Sequence, residues 1–353
     1  MARLIFVTGT PSNVAEGSGT WVGISVLRDA IIALGHEVTI IAPPSRAGRE
    51  TTLSRIAFNL LVRRQLRSMT ADVVVGFDLD GVFAAKGSAL HVAAIKGVRA
   101  DEARYEYGMH RIALAIQSRL ERWHVRRADR VIATSAYSAG RIAKFYRTAD
   151  KIVVVPELID LEAWDHALRD APGEEGPPRI LTVAHLYRRK GTDTLLRAFA
   201  KVSTDAVLRV VGTGRESERL IRLARDLAIS DRVTFLGHLP FSTLVAEYRN
   251  ATLFALPTEQ EGFGIVFLEA MASSLPIVAT RVAAVPEVVT DGLLVDPGDE
   301  TALAQALESL LGDRQLRERM GSEGRKHVVR FAAPTIARQF LVAIGVQPTD
   351  LLS

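Results

Sequence analysis

Two glutamates, Glu261 and Glu269, pose the chemical question of this chain. They lie eight residues apart in "TEQEGFGIVFLEAMA", residues 258–272, with Gly262 and Gly264 between them. A carboxylate among Ile265, Val266, Phe267, Leu268 and Met271 is expensive to bury unless something specific pairs with it. Residues 264–273 have helix-forming composition, which sets Glu269 one turn beyond Ile265, beside Leu268 and on the side of Ala272. Glu261 falls in the preceding loop, which its glycines make permissive. The start of such a helix offers unpaired N–H groups and the positive end of the helix dipole. A loop carboxylate, backbone donors and a second carboxylate one turn inside suit the vicinal hydroxyls of a sugar and a ribose. The competing reading is an amphipathic helix with Glu269 on its wet side.

Two further stretches have chemical content. "VAHLYRRKG", residues 183–191, places Arg188, Arg189 and Lys190 consecutively in a loop after a strand. Cations there would neutralise a diphosphate without a metal ion; a solvated basic loop is the alternative. "EGSGT", residues 16–20, would let a ligand approach the backbone at Gly19, but it does not match the dinucleotide fingerprint. Gly212-Thr213-Gly214 lacks the third glycine and the downstream acidic pattern, so a dehydrogenase is disfavoured.

These residues need elements to hold them. Strands are expected at 4–8, 37–42, 72–76, 91–95, 130–134 and 151–156, with helices at 21–34, closed by Gly35, and at 112–125. "DAPGEEGPP", residues 170–178, reads as a linker. Beyond it strands are expected at 179–184, 206–212, 232–237, 251–256, 276–280 and 293–295. Helices are expected at 192–201, 216–227, 241–248, 264–273, 283–289, 301–311 and 333–343. The alternation implies two doubly wound parallel-sheet domains, 1–170 and 171–332. Ligands of open α/β sheets bind outside the strand carboxyl ends, so the crevice between the domains is the expected site.

Composition agrees with an α/β globular chain. The 353 residues are too many for one ordinary core, and 48% are apolar against 24% charged. With no cysteine, disulfides, thiolate metal sites and cysteine nucleophiles are excluded. The start, "MARLIFVTGTP", reads as a buried strand rather than a leader, and no apolar run of about 18 residues appears. A cytoplasmic location is expected. The net charge of +4 fits a solvated arginine-rich surface, or attraction to phosphate or anionic lipid.

Taken in order along the chain, "LTVAHLYRRKG", "LRVVGTG", "RVTFLGHL", "PTEQEGFGIVFLEAMASSLPIVAT", "VPEVVTDG" and "LLVDPGD" resemble the retaining, GT-B-fold glycosyltransferases of family 4 (glycosyl transferases group 1). The resemblance implies two Rossmann-like domains facing across a cleft, with the segment 333–353 packing back on the first. It implies that Glu261 holds the donor sugar, with backbone contacts from Gly262, Phe263, Gly264 and Ile265, and that Glu269 holds the ribose. Arg189 and Lys190 would grip the diphosphate, with Gly19 approaching the ligand. His185 stands where the family usually has arginine, and Ala283-Ala284 where two glycines are frequent. Lys96, in "HVAAIKG", stands where a histidine often ends the fourth strand. Lys96 either hydrogen-bonds the sugar or is a surface lysine. On this resemblance the catalytic set is Glu261, Lys190 and Lys96.

The activity so implied is transfer of a hexose, with retention, from a nucleoside-diphosphate sugar to a hydroxyl of a glycan, glycolipid or small metabolite. No metal or other cofactor is expected. The alternatives are a sugar-nucleotide-binding regulatory protein of little turnover, or an epimerase or phosphorylase on the same fold. "FNLLVRRQLRSM", residues 58–69, mixes Phe58, Leu61, Val62 and Leu66 with Arg63, Arg64 and Arg67. It is either an ordinary surface helix or a peripheral contact with an anionic membrane, at its cytoplasmic face. Dispersed basic residues without a recognised motif disfavour nucleic acid.

Overall fold

The computed structural model describes residues 1–10, 19–43, 52–84 and 88–347. Contacts divide the chain into two compact units, Met1–Leu158 with Phe331–Ser353, and Ile159–Arg330.

The first unit runs β1 (Arg3–Val7), α1 (Gly19–Ala33), β2 (Glu37–Ile41), α2 (Thr52–Leu66), β3 (Val73–Phe77), β4 (Leu90–Ile95), α3 (Arg99–Glu102), α4 (Gly108–Arg127), β5 (Arg130–Ala133), α5 (Ala136–Tyr146) and β6 (Ile152–Val154). Its strands form one parallel sheet in the order β2-β1-β3-β4-β5-β6. The period-2 alternation of a strand decides which helix each residue meets. Leu4, Phe6, Val75 and Phe77 point to one face and pack on Ile24 and Leu27 of α1 and on Ile336 and Phe340 of the C-terminal helix Ala333–Ala343. Ile5, Val7 and Val74 point the other way, onto Val62 of α2. Ala93, Ile95 and Val131 share that second face with Val125 of α4 and Ile142 of α5.

The second unit runs α6 (Leu161–Asp170), β7 (Arg179–Val183), α7 (Thr192–Phe199), β8 (Val207–Val211), α8 (Ser217–Asp226), β9 (Val233–Gly237), α9 (Phe241–Asn250), β10 (Leu253–Leu256), α10 (Ile265–Ala272), β11 (Ile277–Thr280), α11 (Val285–Val288), β12 (Leu293–Val295), α12 (Glu300–Gly312) and α13 (Arg314–Val328). Its sheet is also parallel, in the order β12-β11-β10-β7-β8-β9. The C-terminal helix of the first unit is α14.

The division falls between Leu158 and Ile159 instead of at 170/171. The reason is α6, capped by Asp160, which commits the residues before the Pro/Gly-rich stretch to the second unit. Its Trp164 is buried edge-on to Phe241 and Tyr248, and its indole N–H donates to the Ser273 hydroxyl at 3.0 Å. The helices α5, α6 and α13 had no counterpart in the sequence reading. In α13 the glycines explain this: a Cβ on Gly321 would lie 2.1 Å from the Ser274 carbonyl oxygen, so a weak helix former marks close packing beside α10.

Trp164→Ala should therefore destabilise the second unit by roughly 3–5 kcal/mol. Denaturant unfolding should show the midpoint of that unit falling; an unchanged midpoint would contradict the assignment of α6.

Candidate functional site

The order of the second sheet decides where side chains collect. β7 and β10 are neighbours, but their connections leave in opposite directions, towards β8 and β11. The loops that follow them therefore open side by side, at the switch point where such sheets bind ligands. Arg188–Lys190 form a short 3-10 turn after β7. The Glu259 N–H donates to the Arg189 carbonyl at 2.7 Å, and the Thr258 hydroxyl oxygen lies 3.0 Å from that same carbonyl. Gly191 closes the turn at φ 67°, and a Cβ there would sit 1.9 Å from the Pro257 carbonyl oxygen. Only glycine permits that approach.

This frame brings Lys190 and Glu261 together. Lys190 Nζ lies 2.5 Å from Glu261 Oε2, with the two side chains only 14% and 12% exposed. Arg189 and Arg215 lie over the Tyr187 ring at 5.6 and 5.4 Å. His185 stacks on the same ring at 5.6 Å. Desolvation within this cluster, then the charges of Lys190 and Arg189, lower the His185 pKa. An imidazole kept neutral beside three or more cations adds no positive charge of its own.

Glu269 lies one turn inside α10, whose N-terminus follows Gly264 at φ 89°. The Tyr248 hydroxyl donates to Glu269 Oε2 at 2.7 Å. Burial pushes the Glu269 carboxyl up to about 7, against the opposing pull of that hydrogen bond. The helix is not amphipathic in the way its sequence suggested. Phe267, Leu268, Ala270, Met271 and Ala272 are all buried, while Ile265, Val266 and Glu269 form the half-buried side. Glu269 thus shares its side with Ile265 and not with Leu268 or Ala272. The helix packs on β11, α6 and α13, so nearly its whole circumference is covered and no strong stripe is needed. Phe263 is buried, while Gly262 and Gly264 are half-buried.

Gly19 and Lys96 belong to the first unit. Gly19 is the exposed first residue of α1, and residues 16–18 of its stretch lie outside the described residues. Lys96 follows β4 and is not a surface lysine: it is 13% exposed, with Nζ 2.8 and 2.6 Å from the two oxygens of Glu157. Its backbone N–H donates to Asp78 Oδ1 at 2.8 Å. Asp78 Oδ2 in turn lies 3.6 Å from Arg99, whose backbone N–H donates to Glu121 at 3.0 Å. Burial, and then Asp78, push Glu121 up to about 8. The end of β4 is therefore held by buried carboxylates just after β3, on α4 and in the segment after β6.

The sequence reading missed four participants: Tyr248, Glu157, Arg215 and Asp78. Glu157 alone carried a signal, as a charged residue directly after the last strand of its unit. Tyr248 looks like any core aromatic at the end of a helix.

Two Rossmann-like units, each a six-stranded parallel sheet, are the architecture of GT-B glycosyltransferases. Sucrose-phosphate synthase from Thermosynechococcus elongatus superposes with a TM-score of 0.82 at 21% identity, covering 96% of this chain and 97% of that one. Anabaena HepE in complex with UDP-glucose gives 0.75 at 18% identity, covering 98% and 100%. Residues 17–163 match the family model Glycosyltransferase Family 4, and residues 166–327 match Glycosyl transferases group 1. The chain belongs to the family 4 glycosyltransferases. It is 37% identical over 231 residues to a D-inositol 3-phosphate glycosyltransferase of Nocardia farcinica, covering 60% of this chain and 51% of the relative. It is 32% identical over 217 residues to a GDP-mannose-dependent alpha-(1-6)-phosphatidylinositol monomannoside mannosyltransferase of Mycolicibacterium smegmatis, covering 56% and 57%. The matches thus span just over half the length of these relatives.

The Glu269 environment gives a pH test. The folded carboxyl titrates near 7 and the unfolded one near 4.5, so stability is lost as pH rises through that window. Glu269→Gln keeps an acceptor for Tyr248 and removes the charge. Its stability relative to wild type should rise by roughly 1–3 kcal/mol between those pH values; a difference that does not vary with pH would contradict the buried-carboxyl account.

Proposed function

We propose that the protein transfers a hexosyl group, with retention of anomeric configuration, from a nucleoside-diphosphate sugar to an acceptor hydroxyl, without a metal ion. The observation that carries this reading is the buried Lys190–Glu261 pair at the switch point, beside the N-terminus of the helix that bears Glu269. In the ligand-free protein each charge satisfies the other. A donor supplies both with new partners, its diphosphate for Lys190 and Arg189 and its sugar hydroxyls for Glu261. Glu269, oriented by the buried Tyr248 hydroxyl, meets the ribose, and the N–H groups that open α10 lie near the sugar and phosphate.

In the transfer step the bond from C1 to the phosphate oxygen breaks and the bond from C1 to the acceptor oxygen forms on the same face. The acceptor proton passes to the departing phosphate. Lys190 and Arg189 stabilise the negative charge that grows on the leaving diphosphate, the work done elsewhere by a divalent cation. Lys96, oriented by Glu157 and Asp78, is assigned to a hydroxyl of sugar or acceptor. The relatives' names point to sugar or lipid-linked acceptors, and to GDP-mannose as one donor to try. A binding-only role is the second reading, favoured by His185 and by Lys96 being already engaged by Glu157. Transfer or hydrolysis of donor separates the two.

Glu269→Ala should weaken donor binding at least about tenfold with the fold intact, whereas Glu261→Ala should mainly lower kcat, by about a hundredfold. Titration of a donor panel that includes GDP-mannose and UDP-glucose, followed by turnover assays, reads both. Wild-type behaviour of both variants would end the pocket reading. Turnover should survive excess chelator, and NMR of the product should show the donor's anomeric configuration; an inverted anomer would overturn the proposed step.

A further inference from the structure

The helices α2 and α4 carry a surface that the transfer reaction does not use. Both lie on the same face of the first sheet, α2 over Ile5, Val7 and Val74 and α4 over Ala93, Ile95 and Val131. They meet where the Gln117 amide donates to the Thr52 hydroxyl at 3.2 Å. Their outer sides therefore look away from the sheet in the same direction.

The outer stripe of α4 steps through Met109, Ile112, Ile116, Arg119, Trp123 and Arg126, at alternate spacings of three and four. All are exposed, Met109 at 79% and Ile112 at 52%. The outer side of α2 repeats the plan. Leu53, Leu60 and Leu61 are 78%, 52% and 66% exposed, and Arg63, Arg64 and Arg67 follow them. Of the apolar residues quoted from 58–69, only Leu61 lies on this side, because Phe58, Val62 and Leu66 pack towards the sheet. Across both helices the sole carboxylate is Glu121, which is 0% exposed. Such a face is apolar and cationic with no counter-charge of its own.

We infer that the paired outer faces of α2 and α4 dock on an anionic lipid bilayer, with Leu53, Leu60, Met109, Ile112 and Ile116 entering the interface and the arginines meeting phosphate headgroups. Two observations favour lipid over a nucleic acid or an acidic protein. Aliphatic side chains of this size gain nothing from a hydrated polyphosphate but lose their water contact in the acyl boundary. Trp123 stands at the arginine end of its stripe, edge-on to Phe83 at 5.4 Å and under Arg127 at 4.8 Å, the amphipathic setting that suits an interface. Among the described residues no helix is long and apolar enough to cross a bilayer, so this contact would lie on the surface.

The test is sedimentation of the full chain with vesicles of phosphatidylcholine, alone or mixed with phosphatidylglycerol, without donor present. Wild type should partition onto the mixed vesicles and not onto the neutral ones, and salt should weaken the binding. The double variant Arg119→Glu/Arg126→Glu should bind at least about tenfold less. Ile112→Ser/Ile116→Ser, and independently Leu60→Ser/Leu61→Ser, should also bind less. Each changes only exposed positions, so circular dichroism should be unaltered. Donor hydrolysis in solution should be the same in all, so a failed transferase assay and a failed vesicle assay are separate outcomes. No binding to mixed vesicles, binding indifferent to the isoleucines, or equal affinity for duplex DNA would overturn the inference.

Discussion

The buried ion pair between Lys190 and Glu261 is the constraint on which the second unit's site depends. Two charges in a poorly hydrated pocket are tolerable only together, and removing either leaves the other stranded at a cost of several kcal/mol. The loops after β7 and β10 must then stay in register to a fraction of an ångström. That demand accounts for the Glu259 and Thr258 contacts to the Arg189 carbonyl, for the Thr280 hydroxyl on the Thr258 carbonyl, and for a glycine at position 191. The parallel sheet supplies the coarse placement and these local bonds supply the fine one. The result is a charge pair fixed in place between two neighbouring loops, a preorganised arrangement of the kind the proposed transfer requires.

The first unit handles the same problem with several pairs. Asp80, fully buried, accepts from Arg55, Asn59 and the Gly9 N–H; Asp101, equally buried, accepts from Arg141 and the Tyr137 hydroxyl. Asp78 adopts φ 55°, an uncommon conformation for a residue with a side chain, and uses it to receive the N–H of Lys96. Asp80 and Asp78 thereby pin the residues that follow β1 and β4, whereas Asp101 ties α3 to α5. Polar networks of this kind define the conformation of the ends of strands, where the sheet's own hydrogen bonds have stopped.

The strands were legible because buried parallel strands are short β-branched runs, and their alternation with helical patterns left one fold class. The two glutamates and the cationic loop were legible because charge in an apolar setting is rare. What escaped had no local signal. Tyr248 becomes a partner of Glu269 only once α9 and α10 have packed, and Glu157 pairs with Lys96 across 61 positions in the sequence. The side of α10 on which Glu269 lies also eluded the pattern, since a helix covered on nearly every face shows no preferred stripe. The helix α13 was hidden by the glycine that its close packing requires.

The most direct measurement is calorimetric titration of a nucleoside diphosphate and the matching nucleoside into wild type, Lys190→Met, Glu261→Gln and the double variant. If the pair is held for a diphosphate, Lys190→Met should lower diphosphate affinity by about tenfold or more while leaving nucleoside affinity unchanged. Glu261→Gln should strengthen diphosphate binding, because the lysine no longer has to leave its partner, and the double variant should not add the two effects. Diphosphate affinity indifferent to Lys190, or equal losses for nucleoside and diphosphate, would contradict the account.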